Sequence, residues 1–317
     1  MRGLFTATIG MLAALATADT TCAPGLYILI ARGSGEPAAG TPVPKQGITL
    51  PPFTGSIGAV GELVASQLNG TVVAGVDYPA TNPLPSTDDN ETTIDPSDFK
   101  SLNLTDYHSS VNNGTSSIID EVNQYHKACP DGKIALIGYS QGAQVVMNSL
   151  CGGSGDGFNT DEPLSPALVK SNIVSVAIVA DPTHIANLTI DRGNSTQDGV
   201  FSRQNTTVCQ QYDNIIASWC DADDAFCDSG DSIAVHESYL GIYGKEIAEW
   251  VGEGYVNATT SQSGSGSNAT GTATTTPSTT ATATATSTTT STGAASALVR
   301  DGGLLLGMMG LLSVLAL

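Results

Sequence analysis

The sequence predicts an α/β fold with a mostly parallel central sheet and helices on both faces. Three observations carry this: short runs that are apolar at nearly every position, intervening stretches whose apolar residues recur at helical spacing, and the regular alternation of the two. Strands buried on both faces read as continuous apolar runs, whereas half-exposed strands alternate.

The first strand is Gly25–Ala31, followed by a helix marked by Ile57, Val60, Leu63, Val64 and Leu68. Thr71–Tyr78 reads as a second strand, and Ile118, Ile119, Val122 and Tyr125 as a helix ending near His126. Lys133–Gly138 is the third strand, with a helix directly after it from Gln141 to about Leu150. Ile173–Ala180 is the fourth strand and Ile215–Trp219 a weaker fifth. Tyr239, Ile242, Tyr243, Ile247 and Val251 mark a last helix. No internal repeat interrupts this pattern.

The flanks differ from this domain. Residues 1–18 join Met1-Arg2 to an apolar stretch and end in Ala16-Thr17-Ala18, the pattern of a secretory signal peptide cut before Asp19. From Asn257 to Gly293 the chain is nearly all Thr, Ser, Ala and Gly, which cannot bury enough surface to offset ordering; it reads as an O-glycosylated stalk. Small residues at Gly293-Ala294-Ala295, a short spacer and the apolar Leu304–Leu317 fit a removed glycosylphosphatidylinositol signal over 294–317. That leaves 19–256 as one domain.

Of the 317 residues 40% are hydrophobic, enough for one core, and thirty acids against eleven bases leave a net charge of −19. A broad basic footprint is excluded, so neither nucleic acid nor an anionic membrane surface is an expected partner. The six cysteines are dispersed without a C-x-x-C, which argues against a zinc ribbon or a redox dithiol and suits disulfides in an oxidising compartment. Nine Asn-x-Ser/Thr sequons, at Asn69, Asn90, Asn103, Asn113, Asn187, Asn194, Asn205, Asn257 and Asn268, predict a surface glycoprotein.

Gly138-Tyr139-Ser140-Gln141-Gly142 is a G-x-S-x-G sequence between a predicted strand and a predicted helix. Such a turn exposes a serine hydroxyl, and the helix after it points its positive end at the oxyanion that attack creates. A serine needs a histidine to take its proton and an acid to orient that histidine. His108 and His126 precede Ser140 in a helical stretch and read as solvated or capping residues. Asp181 with His184 competes with Asp224 and His236, but three residues leave little room for partners from separate loops. Asp224 with His236 is the better pair, because Asp224 lies between Cys220 and Cys227, where a disulfide would stiffen its loop. The acids around Asp224 lack the spacing of a calcium loop.

Four segments together resemble the cutinase and acetylxylan esterase family: Ala31-Arg32-Gly33-Ser34, the Ser140 motif, the Cys220–Cys227 box, and His236 followed by Tyr239. The resemblance covers Cys22 to about Val251 and implies a minimal α/β-hydrolase fold. It implies that Ser140 is nucleophile, Asp224 orienting acid and His236 general base, with the Gln141 amide and Ser34 as oxyanion hole. Asp181 then falls on a structural Asp-Pro turn. The resemblance also suggests the pairings Cys22–Cys129 and Cys220–Cys227, leaving Cys151 with Cys209.

Arg32-Gly33-Ser34 and the apolar Ile233-Ala234-Val235 look like the cutinase branch, and an apolar rim suits an acyl chain. The third cysteine pair and the surroundings of Trp219-Cys220-Asp221 look more like the acetylxylan branch, while 79–101 matches neither. The expectation is a secreted, surface-anchored monomeric serine esterase acting on cutin or shorter acyl esters, without metal or organic cofactor. Its rivals are an acetylxylan esterase and, from another class, an inactive cell-wall adhesion glycoprotein. A protease on the same triad lacks a legible specificity pocket.

Overall fold

The computed structural model describes residues 21–263, apart from 44–47, 85–101, 103, 156 and 159–161. The expected signal peptide, most of the stalk, the anchor signal, most of the 79–101 segment and the sequons at Asn90, Asn103 and Asn268 lie outside the described residues.

Six parallel strands form the main sheet: β1 (Leu26–Ala31), β4 (Val72–Gly75), β5 (Lys133–Tyr139), β6 (Ile173–Val179), β7 (Asp191–Arg192) and β8 (Ile216–Trp219). Their spatial order is β4-β1-β5-β6-β8-β7. A separate two-residue antiparallel pair joins β2 (Pro42–Val43) to β3 (Ile48–Thr49). The central strands β1, β5 and β6 are nearly all apolar, with Lys133 in β5 and Ser175 in β6 as polar interruptions, and every residue of β6 is buried. Parallel strands need long crossovers, which here are helices that cover both faces.

Side chains of β1 and β5 alternate between the two faces. Leu29, Ile134 and Leu136 join a core with Val111, Ile118 and Val122 of α2 (Thr105–Ala128) and Val145, Val146 and Leu150 of α3 (Gln141–Cys151). Ile28, Ile30 and Ile137 join a second core with Val60 and Val64 of α1 (Gly58–Gln67) and Ile247 and Val251 of α7 (Tyr239–Ser263). Each large aliphatic side chain so buried contributes about 1.5–3 kcal/mol. Shorter helices are α4 (Pro166–Asn172), α5 (Thr207–Gln210) and α6 (Ile233–His236).

The main differences from expectation lie at element ends. The second strand shrinks to four residues, α2 begins at Thr105, far ahead of its legible apolar stripe, and α7 continues to Ser263, beyond the expected edge of the domain at Val256. The three expected disulfides, Cys22–Cys129, Cys151–Cys209 and Cys220–Cys227, are all formed. The first ties the start of β1 to the end of α2 across 107 residues, which removes much of the unfolded chain's freedom.

Candidate active site

Because all six strands run the same way, their carboxyl ends share one edge, and loops leaving that edge converge there. Ser34 follows β1, Thr81 follows β4, Ser140 follows β5, Asp181 follows β6 and Asp224 follows β8. Residues far apart in sequence therefore meet.

Ser140 sits at the β5–α3 turn with φ 54° and ψ −121°, a left-handed conformation that costs a non-glycine residue free energy. The flanking glycines permit it. A Cβ on Gly138 would stand 2.5 Å from the Gly142 carbonyl oxygen, and one on Gly142 would stand 2.0 Å from that of Ala31. The strand–turn–helix packing thus dictates both glycines, and the turn leaves Ser140 8% exposed.

His236 Nε2 lies 2.9 Å from Ser140 Oγ, and its Nδ1 lies 3.0 Å from each Asp224 carboxylate oxygen. His236 ends α6, whose first turn is capped by Ser232 Oγ accepting the Val235 amide at 3.1 Å. The ring is held on both sides. Tyr139 stacks on it at 5.5 Å between centroids and donates its hydroxyl to the His236 carbonyl at 2.9 Å. Phe226 packs edge-on at 4.4 Å.

Asp224 is fully buried. The amides of Phe226 and Cys227 donate to its Oδ1 at 2.7 and 2.9 Å, and the Cys220–Cys227 bridge closes the loop that presents them. Burial by itself would raise this carboxyl. The facing His236, as charge and hydrogen-bond partner, and the two amides outweigh it and hold the group below the usual aspartate value. Tyr239, buried beneath, accepts the Asp221 amide at 2.7 Å; burial and then the Asp224 carboxylate push its hydroxyl far up, so it stays neutral.

Ser34 and Gln141 are brought together. The Gln141 side chain donates through Nε2 to the Thr81 carbonyl at 2.8 Å and to Ser34 Oγ at 3.1 Å, while its Oε1 accepts from Ser110 Oγ at 2.8 Å. Since Ser34 Oγ accepts there, its own proton is available to a third group. Gln141 opens α3, so its amide is one of the first-turn N–H groups without an intrahelical acceptor. A hydroxyl and an amide can therefore converge on one oxyanion. Glu36 steadies the same loop: its two carboxylate oxygens accept the Gly33 and Ser56 amides at 2.6 and 2.7 Å.

The competing pair is elsewhere. Asp181 accepts the Thr183 amide and hydroxyl at 2.8 Å, as an Asp-Pro turn requires, and His184 Nδ1 faces Asp191 at 3.9 Å rather than any serine. His126 lies in the last turn of α2, and His108 packs on Phe158 at 4.5 Å. Sequence reasoning missed Tyr139, Ser110, Thr81 and Glu36. Tyr139 sits in the variable position of the motif, Ser110 and Thr81 make their contacts through chain returns that no local pattern announces, and Glu36 joins the nearby Gly33 to Ser56 twenty residues on.

Among the described residues no group of three or more His, Cys, Asp or Glu is placed to hold a metal ion, and no helix is long and apolar enough to cross a membrane.

Comparison with known proteins gives the same picture. A family profile described as Cutinase matches residues 22–255. Cutinase 11 of Verticillium dahliae is 30% identical over 206 residues, 64% of either chain. The acetylxylan esterase of Hypocrea jecorina is 36% identical over 148 residues, 46% of this chain and 48% of that one. This chain thus spans less than two thirds of the length of the first relative and about half of the second. Among solved structures, the catalytic core domain of acetyl xylan esterase from Trichoderma reesei superposes with a TM-score of 0.57 at 29% identity, covering 73% of this chain and 98% of that one. A cutinase-like protein from Cryptococcus sp., at 19% identity and a TM-score of 0.50, over 76% and 98%, shares the fold. With the match running from Cys22, in the first disulfide, to Tyr255 in the last helix, the chain belongs to the cutinase family.

Proposed function

We propose that the chain is a secreted serine esterase that hydrolyses carboxylic esters through an acyl-enzyme. The observation that carries this reading is the unbroken hydrogen-bond relay from Ser140 through His236 to Asp224. Ser140 Oγ attacks the ester carbonyl carbon while His236 Nε2 takes the hydroxyl proton and Asp224 stabilises the imidazolium. The Gln141 amide and Ser34 hydroxyl receive the carbonyl oxygen as it becomes an anion, each such donor contributing about 2.7–4 kcal/mol. His236 returns the proton to the departing alcohol. Water then attacks the acyl-serine, gives its proton to His236, and releases the acid and free Ser140.

The substrates proposed are cutin or other short and medium acyl esters. Ile233 and Val235 are half-buried and Ala234 is exposed on α6, directly before His236, an apolar edge that an acyl chain would meet. Each methylene reaching it gains up to ~0.8 kcal/mol. The second reading, deacetylation of a plant polysaccharide, is favoured by the 36% identity to the Hypocrea jecorina enzyme and by the Cys151–Cys209 bridge. Aryl acetate, butyrate and hexanoate, alongside acetylated xylan, separate the two. Butyrate is expected to exceed acetate by roughly ten-fold in kcat/KM, since two methylenes are worth about 1.6 kcal/mol. A steep fall from acetate to butyrate with turnover of acetylated xylan would replace the first reading by the second.

Secretion is supported by the three disulfides, which persist in oxidising compartments. The pattern of residues 1–18, the Ser/Thr-rich stretch and the apolar segment 304–317 support a tethered glycoprotein on the cell surface or in the wall. Phospholipase release from intact membranes tests the tether. The inactive adhesion protein would need the same stalk but has no use for the Ser140 relay.

A further inference from the structure

The hydroxyl of Ser34 serves an oxyanion only if its proton points into the site. A serine hydroxyl both donates and accepts, and it turns to suit its neighbours. The neighbour here is the carboxamide of Gln141, whose two ends have opposite polarity. Were Oε1 to face Ser34, the Ser34 proton would be spent on it. With Nε2 facing Ser34 Oγ at 3.1 Å, Ser34 accepts and its proton stays free. Which end of the carboxamide faces Ser34 therefore bears on catalysis.

Two groups settle that orientation. The Thr81 carbonyl, which can only accept, takes Nε2 at 2.8 Å. At the other end of the amide, Ser110 Oγ donates to Oε1 at 2.8 Å. Ser110 is itself held to this direction: its oxygen accepts the Thr81 amide at 3.0 Å, which leaves its proton for Gln141. Polarity thus runs one way, from the Thr81 amide through Ser110 and Gln141 to Ser34. Ser110 is 1% exposed and Gln141 fully buried, so bulk solvent does not reach them to replace a lost donor. Ser110 comes from the early part of α2, where Tyr107 and Val111 pack into the core and fix its place.

We propose that Ser110 is a positioning residue, which sets the orientation of the Gln141 carboxamide and so keeps the Ser34 proton available to the oxyanion. The proposal rests on the serine esterase reading. In Ser110→Ala only the Thr81 carbonyl still opposes a turned-over amide, so a smaller share of molecules keeps the Ser34 proton free. The test is a double-mutant cycle on the full chain with an aryl ester: wild type, Ser110→Ala, Ser34→Ala and the double variant. Ser110→Ala should lower kcat roughly ten-fold and change KM by less than about two-fold, since the oxyanion exists only in the transition state. Ser34→Ala should lower kcat by about 10²–10³-fold. On that background Ser110→Ala should cost less than about two-fold, because no proton remains to orient. A general loosening of the fold would lower kcat by the same factor on both backgrounds; that result, or wild-type kcat in Ser110→Ala, would overturn the proposal. Should Ser110→Ala not fold, Ser110→Cys, close in shape and only a weak donor, goes through the same cycle under the same criteria. Ser140→Ala is assayed alongside. Ester turnover persisting there would sink the esterase reading and this proposal with it, whereas a failed cycle with Ser140→Ala inactive would sink this proposal alone.

Discussion

Two buried histidines stand beyond neighbouring strands, each with an aspartate in reach, and only one is wired to a serine. After β8, His236 commits one nitrogen to Asp224 at 3.0 Å and the other to Ser140 at 2.9 Å. After β6, His184 has a single loose partner, Asp191 at 3.9 Å, and its Nε2 meets no group of the described chain. The acids differ as well. Asp224 takes two loop amides and still faces the imidazole, whereas Asp181 spends both oxygens on Thr183. A histidine beside a buried acid is therefore not enough. Proton relay needs an imidazole whose two nitrogens are committed in opposite directions by rigid partners.

The largest effect expected from breaking this contrast is at the serine. Ser140→Ala should lower kcat by about 10⁴–10⁶-fold with an unchanged melting transition. Wild-type turnover in that variant, measured on an aryl ester, would remove the relay hypothesis. Next, Asp224→Asn should cost about 10⁴-fold in kcat, as loss of the orienting acid does. Asp181→Asn should leave kcat near wild type and act on stability instead, read in denaturant melts, because its carboxylate serves the Thr183 amide and hydroxyl rather than a histidine. Folded Asp181 and His184 variants without activity would reverse the assignment of the two pairs.

A smaller effect is expected from the bridge that only the Asp224 loop possesses. Replacing Cys220 and Cys227 together by Ser should cost about 2–3 kcal/mol of stability on the chain-entropy account. Turnover of the protein that remains folded should fall too, since the amides of Phe226 and Cys227 position Asp224. Unaltered kcat in the folded fraction would show that the bridge serves stability alone.

The smallest effect separates the acids by sign. Asp224 is held below its ordinary value, so its contribution is present above about pH 3.9 and lost as pH falls through its folded value. Asp181 is raised, by burial first, with Thr183, Arg203 and His184 opposing. Its charged form penalises the fold above its raised value, and that penalty is relieved as pH falls through it. In denaturant melts across the acid range, Asp224→Asn should flatten the low-pH loss of stability, and Asp181→Asn should steepen the decline at mildly acid pH. Equal slopes in both variants would contradict the opposed environments.

Much of the frame was legible because burial on both faces leaves a plain chemical trace. The runs that became β1, β5 and β6 are apolar at nearly every position, and Ser140 follows β5 directly. The early part of α2 was not legible: Thr105 to Gly114 is mostly polar, and only tertiary packing of Tyr107 and Val111 on the core holds it helical. The edge strand β7 has two residues, Asp191 and Arg192, neither of which favours a strand by itself; pairing with Ser218 and Trp219 makes it one.

What the sequence by itself determined is local chemistry: where the apolar strands run, where glycines allow a serine a left-handed turn, and which cysteines, histidines and acids were available. The tertiary structure alone decided the order β4-β1-β5-β6-β8-β7, and with it which acid and which histidine reach Ser140. It also built the Gln141 latch from Ser34, Thr81 and Ser110, set Tyr139 and Phe226 against the imidazole, and turned His184 toward Asp191. The physical reason is that hydrophobic burial is non-directional and short-range along the chain, so it marks elements one at a time. Hydrogen-bond geometry at the carboxyl ends of the strands depends on which elements become neighbours, and that is settled only when the whole sheet assembles.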